Sequence, residues 1–335
     1  MQHTVPAYGA IDLGTNNCRL LVAVPSEERF TVVGSFSRIV RLGENISSSG
    51  KLSDAAMDRT VDALKICAEI MEANGVKSYQ AISTEACRRA TNGAEFLDRV
   101  SRETKINIET ITPDREAELT FSGCSPLLDN DKPYGLVFDI GGGSTELMWI
   151  EKANTSSPKV SMCQSIPEGV VTLADKYNDT LSGEEGYEEL IRIITPWLDD
   201  FDSKCGISEA AQDGNLTILG TSGTVTTLGA LHLGLKRYDR SRVDGMVIDF
   251  ESITSISHLL ASMTCESRAT HPCIGPERAD LVVMGCALLE AVTRRWNVGR
   301  LRVADRGIRE GLLLESMTAD GYVTGIANQK ISAAQ

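Results

Sequence analysis

The segment of the chain best suited to chemistry is a short run of acidic and small residues. An apolar run leads into Asp139, glycines follow, and Glu146 stands just before a second apolar run. Consecutive glycines cost backbone entropy, so they are expected only where the chain turns tightly or where its amides approach a ligand such as phosphate. The flanking carboxylates suit a divalent cation that accompanies phosphate. The predicted phosphate ligands of this loop are Gly141, Gly142, Gly143 and Ser144.

A second copy of this pattern occurs near the N-terminus. Asp12, a candidate cation ligand, follows an apolar run, and aligning it with Asp139 places Gly14 on Gly141. The candidate phosphate ligands of this copy are Thr15, Asn16 and Asn17. Either loop alone would fit an ordinary hairpin turn built from Gly and Asn. The matched pair favours a duplicated fold in which two phosphate loops face each other across a cleft.

Three further places carry residues that could reach such a cleft. A small-residue loop at 220–224 leads into a predicted helix, so Ser222 and Gly223 resemble a phosphate or substrate contact. Arg88 lies near the start of a helix at a predicted sheet edge, where a solvated basic turn is the equal alternative. Glu116 lies in the first turn of a predicted helix, where a favourable interaction with the helix dipole, worth about 0.3–1 kcal/mol, is the alternative to catalysis.

The elements that would position these residues alternate between strands and helices, as is typical of an α/β fold. In the first half we predict strands at 7–14, 17–25, 30–41, 79–83 and 106–111, and helices that begin near Ser53 and Thr112. In the second half we predict a turn at 155–158, helices at 183–204, at 277–296 and from 308, and strands at 216–219 and 300–304. Proline and aspartate accumulate at 125–133, which indicates a hinge between two domains.

Length and composition indicate a soluble protein of two domains. A chain of 335 residues is long enough for two separate cores. No apolar run is long enough to cross a bilayer, and the start lacks the basic and apolar regions of a signal peptide, so we expect a cytoplasmic protein. The net charge of −13 argues against broad binding to nucleic acid or to anionic membranes. It still allows an anionic substrate that is held by a few arginines, backbone amides and Mg²⁺.

The cysteines and histidines offer little further chemistry. The nine cysteines are scattered, odd in number and form no CxxC pair, which argues against a disulfide framework and against a zinc site. Cys87 stands beside Arg88 and Arg89, so a lowered thiol pKa is the alternative to a simple packing role. The four histidines are too dispersed in the sequence to indicate a metal cluster.

Five motifs, in order along nearly the whole chain, resemble the exopolyphosphatase and guanosine pentaphosphate phosphohydrolase family. They are DLGTNN at 12–17, TPDREAEL at 112–119, DIGGGSTEL at 139–147, LGTSGTVTTL at 219–228 and VADRGIREGLL at 303–313. Either phosphate loop alone would also fit actin, the heat-shock 70 chaperones and the sugar and acetate kinases. The resemblance implies an α/β fold of two ribonuclease-H-like (actin-like ATPase) domains, with the active site in the interdomain cleft. The chain resembles the short form of the family, and the resemblance implies domains at 1–125 and 134–318 and a tail at 319–335.

The resemblance also implies roles for individual residues. Glu116 matches the catalytic glutamate of the family, and Asp139 and Glu146 match carboxylates that hold Mg²⁺ and the attacking water. Asn16 and Arg88 match phosphate-binding residues.

Two positions depart from the family pattern. Asn17 stands where many members have Ser or Thr, so the first loop offers an amide in place of a hydroxyl for hydrogen bonding. Asp114 and Arg115 precede Glu116 where a second acidic residue is common, which concerns the neighbour that tunes the basicity of Glu116.

The implied activity is that of an exopolyphosphatase, which releases orthophosphate from the end of inorganic polyphosphate with the help of Mg²⁺ or Mn²⁺. The first alternative is removal of the 5′ phosphate of guanosine pentaphosphate in the stringent response, with guanosine tetraphosphate as a related ligand. A phosphotransferase and a non-catalytic sensor of alarmone or polyphosphate are the remaining alternatives. The intact set Glu116, Asp139 and Glu146 argues against a sensor, because a pure binder has no need of a water-activating glutamate. The resemblance also implies a homodimer.

Overall fold

The computed structural model describes residues 5–27, 29–128, 131–152, 158–177 and 183–323. They form two compact units, each described by itself below. One unit combines the chain up to Gly123 with the segment that begins at Gly307, and the other runs from Cys124 to Arg306. The predicted turn at 155–158 and the part of the predicted tail beyond 323 fall outside the described residues, apart from Pro158.

The secondary structure alternates as predicted for an α/β chain. The strands are β1 (Ala7–Leu13), β2 (Asn17–Ser26), β3 (Arg29–Ile39), β4 (Val76–Ser83), β5 (Glu109–Thr110), β6 (Tyr134–Ile140), β7 (Thr145–Glu151), β8 (Lys159–Ile166), β9 (Leu216–Thr221), β10 (Val247–Asp249) and β11 (Arg300–Ala304). The helices are α1 (Ile46–Ser49), α2 (Asp54–Ala73), α3 (Glu85–Arg89), α4 (Gly93–Thr104), α5 (Pro113–Cys124), α6 (Val170–Tyr177), α7 (Gly183–Cys205), α8 (Ile207–Gln212), α9 (Gly223–His232), α10 (Arg240–Val243), α11 (Phe250–Ser262), α12 (Cys265–Ala269), α13 (Val282–Arg295) and α14 (Ile308–Ala319). A 3₁₀ turn at Ser125–Leu127 follows α5.

The two sheets repeat one arrangement of strands. The sheet of the first unit has the order β3-β2-β1-β4-β5, and β1 runs antiparallel to β2 and parallel to β4. The sheet of the second unit has the order β8-β7-β6-β9-β11-β10, and β6 runs antiparallel to β7 and parallel to β9. The prediction of a duplicated α/β fold is therefore confirmed.

Local sequence signals explain several helix ends. The Ser53 hydroxyl accepts a hydrogen bond from the amide of Ala56 at 3.2 Å, as expected of an N-cap, and Gly75 follows α2 with φ = 61°. Thr112 caps α5 in the same way, because its hydroxyl accepts from the amide of Arg115 at 3.2 Å. No helix in the described part of the chain is long and apolar enough to cross a bilayer.

The C-terminal helix α14 belongs to the first unit. Apolar side chains from β1, β2, β4, α5, α14 and the segment between β5 and α5 share one cluster, which contains Tyr8, Ala10, Leu21, Ala23, Ile82, Ile111, Leu119, Ile308, Leu312, Leu313 and Met317. This division differs from the predicted second domain of 134–318, which would have included α14. The apolar periodicity of a helix predicts a buried face, but it does not say which sheet covers that face.

A buried carboxylate joins three helices of the second unit. Glu290 on α13 is fully buried and accepts hydrogen bonds from the Tyr187 hydroxyl of α7 at 2.7 Å and from Arg294 Nη2 at 2.6 Å. His258 Nε2 of α11 lies 3.2 Å from Glu290 Oε1. A buried carboxylate is tolerated only when such partners satisfy it.

We expect the substitution Tyr187→Phe to lower the free energy of unfolding by about 1.5–3 kcal/mol, because it removes one donor to a buried charge. The matched control is Tyr134→Phe, since the Tyr134 ring stacks on Trp149 with centroids 5.1 Å apart and its contribution lies in the ring. The control should change stability by less than about 0.5 kcal/mol. Urea denaturation of both variants measures the difference, and equal effects would contradict the account.

Candidate active site

The first loop (12–17) lies between β1 and β2 and is fixed by its own backbone. The amide of Gly14 donates to the carbonyl of Asn17 at 2.9 Å, which closes a tight turn. The carbonyl of Thr15 accepts from the amide of Gly43 at 2.9 Å. A Cβ on Gly43 would lie 2.3 Å from Thr15 Cγ2, so only glycine allows this approach. These backbone hydrogen bonds and the close approach of Gly43 stabilise the conformation of the loop.

Two side-chain oxygens of the first loop are buried and have no hydrogen-bond partner among the described residues. They are Asn16 Oδ1 and Asn17 Oδ1. A buried polar group without a partner costs about 1–3 kcal/mol, so it marks a place where a ligand can supply the missing contact. An asparagine amide can offer its nitrogen to a phosphate oxygen or its oxygen to a cation or water. Both residues were predicted as phosphate ligands, and Asn17 is a departure from the family pattern.

The second loop (139–146) repeats the turn of the first. The amide of Gly141 donates to the carbonyl of Ser144 at 2.9 Å, at the position that aligns with Gly14. The carbonyls of Gly141 and Gly142 accept hydrogen bonds from the amides of Val170 and Val171, at 3.0 and 2.8 Å. These two amides begin α6, so the amino end of this helix binds the carbonyl side of the glycine loop. That side is therefore occupied by the protein's own hydrogen bonds.

The segment just before α6 completes this support. A Cβ on Gly169 would lie 2.5 Å from the carbonyl carbon of Gly142, so only glycine lets the two segments touch. The Thr145 hydroxyl donates to the carbonyl of Glu168 at 2.8 Å. Neither α6 nor this segment was predicted from the sequence. Both lie in the region 159–177, where the sequence predicted no helix or strand.

Two carboxylates of the second unit, those of Asp139 and Glu146, lie on neighbouring strands in one row across the sheet. Asp139 on β6 pairs with Glu146 on β7, Glu146 pairs with Ser165 on β8, and Asp139 pairs on its other side with Thr221 of β9. Glu146 is 2% exposed, and its Oε1 accepts from the hydroxyls of Ser144 at 2.7 Å and of Ser165 at 2.9 Å. The structure thus brings Ser144, Asp139 and Glu146 together, as predicted, and adds Ser165. The sequence pattern of β8 could at most have predicted a strand, because the place of Ser165 opposite Glu146 depends on the pairing of β8 with β7.

The third loop (220–224) leaves β9 beside Asp139. Ser222 has φ = 148°, a conformation that side chains other than glycine rarely adopt, and strain of this kind costs about 1–3 kcal/mol. Its hydroxyl accepts from the amide of Val225 at 3.1 Å and so caps α9, which begins at Gly223. The strain supports a functional loop, while the hydroxyl of Ser222 already has a structural use.

The predicted site residues of the first unit also gather at one end of a sheet. Ser83, the last residue of β4, pairs with Leu13 of β1 and with Thr110 of β5. The first loop, α3 with Arg88, and α5 with Glu116 all begin just after these strand ends. Ligands of α/β proteins bind outside the carboxyl ends of parallel strands, which is where these residues lie.

Arg88 and Glu116 lie next to each other. Glu116 is 7% exposed, and its Oε2 lies 3.6 Å from Arg88 Nη1. Arg88 also donates to the carbonyl of Ile111 at 2.6 Å and to Glu85 Oε2 at 2.6 Å. A half-buried guanidinium with these partners is not the solvated basic turn that was the alternative. A guanidinium carries five N–H groups, so Arg88 has N–H groups beyond those in these hydrogen bonds that can donate to a ligand beside Glu116.

Asp12 lies at the end of β1, across from Arg19 of β2. Burial raises the pKa of the Asp12 carboxyl, and the nearby guanidinium groups of Arg19 and Arg309 oppose that rise. Arg309 comes from α14 and was not predicted as a site residue. A cation beside Asp12 would favour its ionised form in the same way as these arginines.

Cys87 has no sign of reactivity. Its side chain is buried, and burial raises the pKa of the thiol to about 11. A reactive cysteine needs a lowered thiol pKa. The packing interpretation of Cys87 is therefore favoured over a redox role.

The oxygen ligands present fit a hard cation rather than a zinc site. Among the described residues, no group of three or more His, Cys, Asp and Glu side chains is arranged to hold a metal ion. Mg²⁺ does not require one, because it keeps several waters and is bound by one or two carboxylates together with substrate phosphates. The paired carboxylates of Asp139 and Glu146, and the buried oxygens of Asn16 and Asn17, are ligands of this kind.

Comparison with known proteins identifies the family. Residues 21–320 match the Ppx/GppA phosphatase family. The chain belongs to this family. A Ppx/GppA family member of Aquifex aeolicus has a solved structure that covers 95% of this chain and 99% of its own length, with a TM-score of 0.75 and 26% identity. The predicted family and the actin-like, two-domain fold are therefore confirmed.

The curated relatives of this chain do not all carry the same name. A protein of Aeromonas salmonicida named guanosine-5'-triphosphate,3'-diphosphate pyrophosphatase is 28% identical over 93% of this chain. A protein of Mycobacterium tuberculosis named exopolyphosphatase 2 is 27% identical over 91% of this chain and 97% of its own length. The present chain spans 59% of the length of the Aeromonas protein and 46% of another curated relative.

Proposed function

We propose that this chain is a phosphoanhydride hydrolase that releases orthophosphate from the end of inorganic polyphosphate. The observation that carries the proposal is the buried carboxylate of Glu146, which lies three residues after Gly143 and accepts hydrogen bonds from two hydroxyls. A relative of similar length, covered to 97%, is named exopolyphosphatase 2. A glycine loop beside a held carboxylate is suited to binding a phosphate and orienting water next to it.

In the proposed mechanism, positioning and charge stabilisation lower the barrier. Phosphoryl transfer passes through a loose, in-line transition state, which asks for little covalent chemistry from the protein. Backbone amides of the second loop and the guanidinium of Arg88 bind the oxygens of the terminal phosphate. Glu116 orients a water molecule and accepts its proton, and Glu146 helps to hold that water. Ser222 and Gly223 are proposed to contact the substrate, as are Thr15, Asn16 and Asn17.

A divalent cation, Mg²⁺ or Mn²⁺, is proposed as the cofactor. Asp139, Glu146 and Asp12 are the proposed protein ligands, and water and phosphate oxygens would complete the set. When bound, the cation would offset the negative charge that develops on the bridging oxygen. The expectation of a homodimer remains a prediction that light scattering of the purified protein can test.

The second candidate is hydrolysis of the 5′ terminal phosphate of guanosine pentaphosphate. It is favoured by the name of the Aeromonas relative, which matches 93% of this chain. The proposed roles of Glu116 and Glu146 would be the same, because the bond that breaks is again a terminal phosphoanhydride. The two candidates differ in what lies beyond the second phosphate, which is more phosphate in one case and a nucleoside in the other.

We expect the purified protein with Mg²⁺ to release orthophosphate from long-chain polyphosphate faster than from guanosine pentaphosphate at matched concentrations of phosphate ends. Excess chelator should abolish release, and added Mg²⁺ should restore it. A preference for guanosine pentaphosphate would reverse the order of the two candidates. Release from neither substrate would refute the hydrolase and shift attention to a phosphotransferase or a sensor.

A further inference from the structure

Two serine hydroxyls meet on a single carboxylate oxygen. Ser144 Oγ lies 2.7 Å and Ser165 Oγ lies 2.9 Å from Glu146 Oε1. Hydrogen bonds to an ionised carboxylate are stronger than those between neutral groups. Because Glu146 is almost entirely buried, these two donors help fix where its carboxylate points.

The two serines hold Glu146 from different kinds of backbone. Ser165 lies inside β8 and is the cross-strand partner of Glu146, so the hydrogen bonds of the sheet fix the distance between them. Ser144 lies in the second loop, directly after Gly143, where the phosphate is proposed to bind. A serine hydroxyl has one proton to donate, so it serves one acceptor at a time. A phosphate at this loop therefore competes with Glu146 for the proton of Ser144.

We infer that Ser165 is a positioning residue that holds Glu146 throughout the reaction, while Ser144 transfers its hydrogen bond from Glu146 to the substrate. This inference rests on the proposed function and deepens it. Before substrate binds, both hydroxyls donate to Glu146, which is the arrangement described above. When a terminal phosphate enters the loop, Ser144 rotates towards it and Ser165 remains as the hydroxyl donor from β8. Binding and carboxylate orientation are thereby assigned to different serines.

This division predicts that replacing each serine by alanine affects a different kinetic constant. Ser165→Ala should lower kcat about 10-fold and leave KM within about 2-fold, because the carboxylate loses the donor that stays with it. Ser144→Ala should raise KM about 10-fold with a smaller effect on kcat, because the phosphate loses a donor. Ser165→Thr should restore kcat, since threonine keeps the hydroxyl and is well tolerated in strands. Thermal unfolding of all variants checks that the fold is intact.

Equilibrium binding separates the inference from the proposed function. Calorimetric titration with inorganic tripolyphosphate and Mg²⁺, in the Glu116→Gln background, should show weaker binding for Ser144→Ala and unchanged binding for Ser165→Ala. Equal effects of the two changes on binding, or a failure of threonine to rescue Ser165→Ala, would overturn the inference. If binding divides as expected but the wild-type protein releases no phosphate, the proposed function fails and the division of binding stands.

Discussion

Replacing Glu116 by glutamine should lower orthophosphate release by a factor of about 10²–10⁴, because the change removes the proposed general base and keeps the shape of the side chain. Glu116 is buried at the start of α5, and Arg88 Nη1 lies 3.6 Å from its carboxylate. The same end of the sheet carries the first loop, whose Asn16 and Asn17 side-chain oxygens are buried and have no hydrogen-bond partner in the part of the chain that the structure describes. The measurement is steady-state phosphate release from the preferred substrate.

The matched control for this experiment lies on the same helix. Glu118 is half-buried and pairs with Arg115 at 3.3 Å, so Glu118→Gln makes the same chemical change two residues away. We expect the control to keep activity within about 2-fold, because a partly exposed ion pair contributes little. If Glu116→Gln kept more than about a tenth of wild-type activity, or if both variants lost activity alike, Glu116 would not be the general base.

The second large effect is expected at Gly169, which is not one of the predicted site residues but packs against the backbone of the second loop. In Gly169→Ala the new Cβ would lie 2.5 Å from the carbonyl carbon of Gly142 and 2.6 Å from the oxygen of Gly141. Both contacts are to backbone, so the glycine loop must move. A displacement of about 1 Å at the reacting groups can cost about 10²-fold in rate, and we expect kcat/KM to fall by that order.

A loss of stability alone could imitate this effect, so the control must be destabilised without touching the loop. Leu216→Ala serves, because Leu216 is buried in the second unit at the start of β9, while the loop end of that strand is Thr221. The control should unfold at a lower urea concentration, because its free energy of unfolding falls by about 2–5 kcal/mol. While folded, it should keep its kcat/KM. Gly169→Ala should lose about 1–3 kcal/mol of stability and most of its activity. Intact kinetics in Gly169→Ala would show that α6 does not position the loop.

The sequence was sufficient wherever local chemistry decides the structure. Ser53 predicted the start of α2, and the strand predicted at 300–304 is β11. The alignment of Gly14 with Gly141 predicted two equivalent turns, each closed by a 2.9 Å hydrogen bond from the glycine amide. Capping side chains and glycine-dependent turns act within a few residues, so their signals survive in the sequence.

The parts that were missed depend on partners distant in the chain. Ser165 matters because β8 pairs with β7, and Gly169 matters because α6 meets the second loop. Arg309 lies near Asp12 because α14 returns to the first unit. Serine and glycine are common in loops and turns for many reasons, so residue type alone does not reveal which acquire a role through tertiary contacts.

The return of α14 has a consequence for the synthesis of the chain. The second unit is continuous from Cys124 to Arg306, whereas the first unit lacks a helix until Met317 and its neighbours have left the ribosome. Until then the apolar face that includes Tyr8 and Leu21 has no cover from α14. Domains usually fold in order from the N-terminus during translation. Here the stretch from Cys124 to Arg306 is synthesised before α14, and the earlier unit must wait for that helix with an exposed apolar surface.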